Sequence, residues 1–367
     1  MAGSITGKNF QIATFGESHG PGLGVIIDGC PAGISLSITD IQHDLDKRKP
    51  GTSEFTTERK EGDEVEILSG VLNGVTTGTP ISLLIRNKDH RSTDYSHLEN
   101  VYRPGHADFT YDHKYGFRDI RGGGRSSGRE TAARVAAGTV AKKILAELDI
   151  SVLAYTKSIG SVEIDYAKFD PLFISKNPLS MPNPEAATEA AKLILEAKEN
   201  EDSVGGVVEC VAKGMPAGAG DPVFERLDAM LAKAVMSIGA TKGFEVGSGF
   251  EAAGMNGSTH NDSWQYDEDG NLGKITNHAG GILGGISDGS DIVIRTAFKP
   301  TASIAQSQST VTKDGKNTDL AIHGRHDPII VPRAVIVVES MVAITLVDYI
   351  FSRILSRMDM IKQAYGK

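Results

Sequence analysis

Apolar and polar positions along this chain follow two different periods. Short β-branched runs predict strands at Gly24–Ile27, Val65–Ser69, Ile81–Ile85, Gly206–Val211, Asp291–Phe298 and Ala334–Val338. Apolar residues at i, i+3 and i+4 predict helices over Ile41–Lys47, Glu130–Leu148, Pro184–Glu199, Val223–Ser237 and Ser340–Met358. The expected class is therefore mixed α/β. No strand runs directly into a GxGxxG that opens a helix, and no GxxxxGK[ST] is present, so the two common nucleotide-binding loops are excluded. One echo stands out. Gly24-Val25-Ile26-Ile27 leads through Cys30-Pro31-Ala32-Gly33 into a helix, and Gly206-Val207-Val208 leads through Met215-Pro216-Ala217-Gly218 into another. It fits an internal pseudo-repeat and equally fits the common chemistry of proline-containing turns. With no linker-like tract in between, residues 1–367 are expected to form a single domain. The polar stretches Ser258–Lys274, which holds the sole Trp264, and Gln306–Asp319 are expected to be surface excursions.

Composition narrows the class. The chain has 367 residues, 40% hydrophobic and 23% charged, which matches a soluble globular protein with ample length for a core. Glycine is the outlier at 42 residues, roughly 11% against a usual share of about 7%, with no repeat period to absorb it. That points to tight turns and close backbone approach to a ligand. A net charge of −9 disfavours bulk nucleic-acid binding. Cys30 and Cys210 lie far apart without CxxC or Cys/His spacing, so both are expected to be reduced and buried, with no metal site. No charged-then-apolar leader and no uninterrupted apolar run of 18 residues is visible, which predicts a cytoplasmic protein with no membrane partner.

Candidate chemistry gathers in a few places. His19 sits in Gly16-Glu17-Ser18-His19-Gly20, unshielded by bulky neighbours, where it would serve as a general acid or an anion contact. Alone, it fits a turn histidine better. From Arg103 to Arg134 the chain carries six arginines and one lysine against four acids, reversing the overall sign, and His106 lies in this stretch. Gly and Pro interrupt helical spacing here, so a small-anion site is favoured over a solvated helix face. The sharpest pattern is Arg121-Gly122-Gly123-Gly124-Arg125-Ser126-Ser127-Gly128-Arg129-Glu130, which runs into an Ala-rich helix. Ser127 and Glu130 have capping-box spacing, and the glycines, hydroxyls and arginines at a helix start suit phosphate. Downstream, Asn277 to Gly285 could pass beneath a flat ring, and Lys299, Thr301 and Ser303 could hold a phosphate tail. Taken singly, these clusters are tight turns, and Arg48 is a solvated helix terminus. No nucleophile and base pair is evident, so a covalent hydrolase is disfavoured. The residues by themselves describe an enzyme for a multiply anionic small molecule, with a phosphate-bearing planar cofactor.

These motifs, in this order, closely resemble the chorismate synthase family. The stretches Gly16 to Pro31, Arg103 to Tyr111, Arg121 to Val140, Asn277 to Gly285 and Arg325 to Met341 each look like a family signature. The resemblance implies a β-α-β sandwich and a homotetramer. It also implies conversion of 5-enolpyruvylshikimate 3-phosphate to chorismate and phosphate by 1,4-anti elimination, with reduced FMN and no net redox change. By the same resemblance, His19 protonates the departing phosphate, His106 is the acid near the flavin and Asp327 assists proton movement at flavin N5. Arg48, Arg103, Arg129 and Arg325 bind substrate anions. Arg125, Ser126, Ser127, Gly239, Ala240, Gly284, Lys299, Pro300, Thr301, Ala302, Ser303 and Arg325 complete the flavin site. The flavin is reduced either by NADPH, which Arg48 would then contact, or by a separate flavin reductase. Glu54 stands where relatives often carry arginine, Gly239 where asparagine is common, Gly128 where alanine is common, and Ile329 where smaller residues are usual.

Overall fold

The computed structural model describes residues 3–51, 55, 62–88, 98–120, 122–322 and 327–367. The first half runs β1 (Ile5–Thr6), β2 (Gln11–Gly16), β3 (Gly22–Asp28), α1 (Ile38–Arg48), β4 (Val65–Ser69), β5 (Val71–Leu72), β6 (Val75–Thr76), β7 (Ile81–Arg86), α2 (Asp108–Tyr115) and α3 (Thr131–Ala146). The second begins with β8 (Ser151–Ile159), β9 (Val162–Glu163), α4 (Pro184–Glu199), β10 (Gly206–Lys213), α5 (Leu227–Met236), β11 (Thr241–Val246) and the one-turn α6 (Gly257–His260). It continues through β12 (Trp264–Tyr266), β13 (Leu272–Lys274), β14 (Ile282–Leu283), β15 (Ile286–Ser287), β16 (Ile292–Phe298), β17 (Gln308–Val311), β18 (Asn317–Leu320), α7 (Val331–Leu355) and α8 (Met358–Ala364).

Two five-stranded antiparallel sheets, ordered β1-β2-β3-β7-β4 and β9-β8-β10-β16-β11, enclose a helical layer. Helix α3 packs on the first sheet and α7 on the second, while α3 and α7 pack on each other. Alternating side chains explain the sheets. In β7, Ile81, Leu83 and Ile85 are fully buried toward the helices, and the residues between them are not. The expected mixed α/β sandwich is what the chain forms.

The two halves repeat one arrangement. In each, a central strand (β3, β10) leads through a Pro-Ala-Gly turn to a helix (α1, α5), an outer strand (β4, β11), a short hairpin and a return strand (β7, β16). The turn bonds are also repeated. Thr76 Oγ1 donates to Pro31 O at 2.6 Å and accepts from Ile34 N at 2.9 Å. Ser287 Oγ donates to Pro216 O at 2.6 Å and accepts from Ala219 N at 2.9 Å. Matching strand order and matching turn bonds carry the pseudo-repeat beyond shared turn chemistry.

Several sequence expectations are corrected. Ala334–Val338 is helical, lying inside α7, which also absorbs most of the helix expected from Ser340. Its β-branched residues favour a strand locally, but α7 is packed by α3, α1, α5 and the second sheet, so an apolar helix satisfies its own backbone while burying this segment. Helix α7 is long and apolar enough to cross a membrane by composition, yet most of it is buried within the protein. Helix α2 forms in a stretch where none was expected, in the window between Gly105 and Gly116, held at its start by the Arg103–Asp108 ion pair. Val223–Glu225 is a separate 3-10 turn before α5. The expected capping box is absent, because Ser127 Oγ accepts from Arg129 N and Glu130 bonds Thr14 and Arg134. Sequence reading did not anticipate β2, β8 or β11. The two polar excursions are the hairpins β12–β13 and β17–β18, and both cysteines are buried and free.

Helices α3 and α7 touch closely where Gly138 meets Ser340. A Cβ on Gly138 would lie 2.2 Å from Ser340 Cβ and 2.6 Å from its Cα. Helix propensity would reward Gly138→Ala by about 1 kcal/mol. Overpacking against backbone reverses the sign, and the variant is expected to lose about 1–3 kcal/mol in chemical denaturation.

Candidate functional site

The ends of several elements meet and enclose a cavity of about 530 Å³, within the usual size of small-ligand sites, roughly 300–1,000 Å³. Its wall includes Arg48 from the end of α1, Arg103, Gly105 and His106 from the loop before α2, and Gly122 to Thr131 from the turns opening α3. Gly239, Ala240 and Lys299 to Ser303 come from the second half, with Ala334 and Arg333 at the start of α7. One side is apolar, formed by Ile238, Phe298, Ile330 and Val337. Among the described lining residues there are four cations, Arg48, Arg103, Lys299 and Arg333, and no carboxylate.

The carboxylates stand behind the cations instead. Asp108 receives Arg103 Nε and Nη2, both at 2.8 Å, and its carboxyl is held below the usual range because those bonds outweigh burial. Asp63 is fully buried and bridges two arginines, taking Arg48 on Oδ2 and Arg129 on Oδ1. Burial would raise it, but the Arg48 and Arg129 guanidiniums hold it below the ordinary value. Asp327 is bonded by Arg333 Nη1, whose Nε also donates to Arg48 O at 3.0 Å. Lys299 Nζ donates to Gly105 O at 3.1 Å, and burial, with Lys242 nearby, lowers its pKa. Thr301 lines the cavity, and its Oγ1 is buried with no hydrogen-bond partner.

Both histidines are more enclosed than the sequence suggested. His106 Nδ1 lies 2.8 Å from Pro104 O, so it carries the proton, and Nε2 accepts from Ser303 Oγ at 2.9 Å. Burial first, then Arg103, pushes its pKa down to about 4, so imidazole and not imidazolium is the resting form at neutral pH. His19 was expected to be unshielded but is buried, with Nδ1 3.1 Å from Ser18 Oγ and its ring against Gly122. Gly122 has φ +75°, and a Cβ there would fall 2.3 Å from His19 Cε1, so only glycine lets this ring lie under the cavity wall.

The structure brings Arg48, Arg103, His106, Ser126, Ser127, Gly239, Ala240 and Lys299 to Ser303 around one cavity. Arg48, expected as a solvated helix end, is buried. Arg129 stands behind the wall, on Asp63 and on Asn87 Oδ1 at 2.6 Å. Two expected flavin contacts lie elsewhere. Arg125 turns toward β2, bonding Thr14 Oγ1 at 2.7 Å and Gly16 O at 3.2 Å, and lines a smaller neighbouring cavity with Tyr111 and Tyr115. Gly284 sits in the β14–β15 turn, beside Gly285 packed on Arg226, outside the lining of this cavity. Arg325 and Glu54 lie outside the described residues.

Sequence reasoning missed Arg333, Asp63, Asn87 and the apolar wall. Pro332 at the first helical turn was a usable sign that Arg333 begins a helix. Asp63, in a run of charged residues, carried no local sign at all.

Comparison with known proteins agrees with this layout. The family profile described as "Chorismate synthase" matches residues 10–351. The chain is 60% identical to the chorismate synthase of Lachnospira eligens and 57% identical to that of Lachnoclostridium phytofermentans, each over 100% of both chains. The solved structure "Crystal Structure of Chorismate Synthase" superposes with a TM-score of 0.76 at 34% identity, covering 98% of this chain and 97% of the other. A cationic cavity built by both halves of a sandwich fold, together with full-length identity of this order, places the chain in the chorismate synthase family of enzymes.

Proposed function

We propose that this enzyme eliminates phosphate from 5-enolpyruvylshikimate 3-phosphate to give chorismate, the last step of the shikimate pathway, with reduced FMN in the same cavity. The observation that carries this reading is a wall with four cations and no carboxylate among its described residues, inside a chain of net charge −9. Such a wall suits a substrate bearing two carboxylates and a phosphate. The residues also fit a flavin. Ile238, Phe298, Ile330 and Val337 offer apolar surface, and Lys299 offers a phosphate contact. When bound, reduced FMN supplies electron density transiently, with no net redox change.

The chain's own residues bind, orient and move protons. Arg48 and Arg103 hold substrate anions, each kept in place by a carboxylate on the far side. His19 gives a proton to the departing phosphate oxygen. His106 rests neutral, and the arrival of anionic ligands beside it raises its proton affinity, turning the Nε2 that now accepts from Ser303 into an acid. Asp327, anchored by Arg333, assists proton movement at the flavin N5 position. The cytoplasmic location, the homotetramer and the action of residues 1–367 as one catalytic domain are part of the same proposal and rest on family membership.

Anaerobic incubation with substrate and chemically reduced FMN should release phosphate and chorismate in equal amounts. Tight FMN binding without phosphate release would defeat the reading. Replacing the reductant by NADPH then distinguishes self-reduction from dependence on a flavin reductase. One departure from the family pattern gives a separate prediction. Gly239 lines the cavity, has open space at its Cβ position and does not adopt a left-handed conformation. Gly239→Asn is therefore expected to fold normally and, by adding one hydrogen bond, to tighten FMN binding about 2- to 10-fold in a fluorescence-quenching titration.

A further inference from the structure

We propose that Asp63 is a positioning residue that joins Arg48 and Arg129 into one anion receptor, and that Asn87 ties this receptor to the loop bearing His19. The inference rests on the reading that the cavity takes an anionic substrate.

Asp63 lies two residues before β4, Arg48 ends α1, Arg129 precedes α3 and Asn87 follows β7, so four separate elements converge on one point. Each Asp63 oxygen serves a different arginine, Oδ2 taking Arg48 Nη2 and Oδ1 taking Arg129 Nη1. Asp63 itself is outside the cavity lining while Arg48 is part of it, so the carboxylate acts from behind. Among the described residues, two guanidiniums and one carboxylate meet here. Without the carboxylate, two buried cations would repel and turn away from each other.

Asn87 extends the connection. Its Oδ1 accepts from Arg129 Nε at 2.6 Å, and its Nδ2 donates to Glu17 O at 3.0 Å and Gly20 O at 2.8 Å. Those two carbonyls flank Ser18 and His19 on either side. The direction in which the arginines face and the placement of the proposed phosphate acid are therefore set by one continuous set of bonds. Asp63 has φ +47°, a conformation that Asp and Asn both tolerate, so Asp63→Asn changes charge without adding backbone strain.

The test uses full-length enzyme with reduced FMN, comparing wild type, Asp63→Asn and Asn87→Ser. Both variants are expected to raise KM for 5-enolpyruvylshikimate 3-phosphate, Asp63→Asn by about 10- to 100-fold and Asn87→Ser by less, with FMN affinity unchanged. Asn87→Ser should also lower kcat, because the His19 loop loses its two donors. A purely structural role would lower kcat in proportion to the folded fraction and leave KM alone, and that result overturns the inference. So does a fall in KM, which would make Asp63 a competitor of substrate. If Asp63→Asn does not fold, the KM of Asn87→Ser decides between the same outcomes. Wild-type enzyme that releases no phosphate fails the underlying reading before the variants are compared.

Discussion

Replacing His106 with alanine is expected to lower turnover by about 10²- to 10⁴-fold, the usual contribution of a positioned acid or base. The side chain spans the cavity wall between Pro104 O and Ser303 Oγ, so its loss removes a proton carrier and leaves the Ser303 hydroxyl without its acceptor. The low proton affinity of His106 adds a test on stability. In the folded protein its pKa is about 4, against 6.5 for the exposed side chain. Between those values the unfolded chain binds the extra proton and the folded one does not, so stability rises with pH. The contribution is fully present above about pH 6.5 and is lost as the pH falls through about 4. Denaturation midpoints of His106→Ala should therefore depend less on pH in this window than those of the parent. Full turnover in the variant would remove His106 from the mechanism.

His19→Ala is expected to reduce turnover by about 10²-fold or more, with little change in FMN affinity. Gly122→Ala should come close to the same loss although it removes no functional group. Its Cβ would overlap the imidazole at 2.3 Å from Cε1 and 2.6 Å from Nδ1, and alanine is strained at φ +75°. The ring must move off the wall. The two changes act through one group, so the double variant should be scarcely slower than His19→Ala alone, a strongly non-additive cycle. Additive losses would show that Gly122 acts by some route other than His19. Single-turnover phosphate release separates the two cases.

Local pattern carried much of the architecture. Short β-branched runs placed β4 and most of β7, and the helix over Pro184–Glu199 was read at its observed bounds. Asn183 and Pro184 are a cap and a first-turn proline that act over a few residues, and so are visible without the rest of the chain. The repeated Pro-Ala-Gly turns were visible too, though only the paired Thr76 and Ser287 bonds separate a duplicated arrangement from ordinary turn chemistry. Residue types around the cavity were equally legible, because glycines, arginines and histidines cluster in sequence at the loops that form it.

Tertiary structure decided what those residues do. Ala334–Val338 became helix because the second sheet and the neighbouring helices, α3 above all, pack on α7, a long-range fact that outweighs local β propensity. Arg48 changed from a surface residue to a buried one because Asp63, in a different element, compensates its charge. Arg125, next to the lining residue Ser126, bonds Thr14 on β2 instead, and Gly284 sits in the β14–β15 turn outside the cavity lining. Sequence by itself determined the strand and helix periods, the acidic balance and the store of anion-binding groups, since these depend on residue type and short spacing. Which cations face the cavity, which carboxylates back them and how far His106 is desolvated depended on contacts between residues remote in the chain, and only packing sets those.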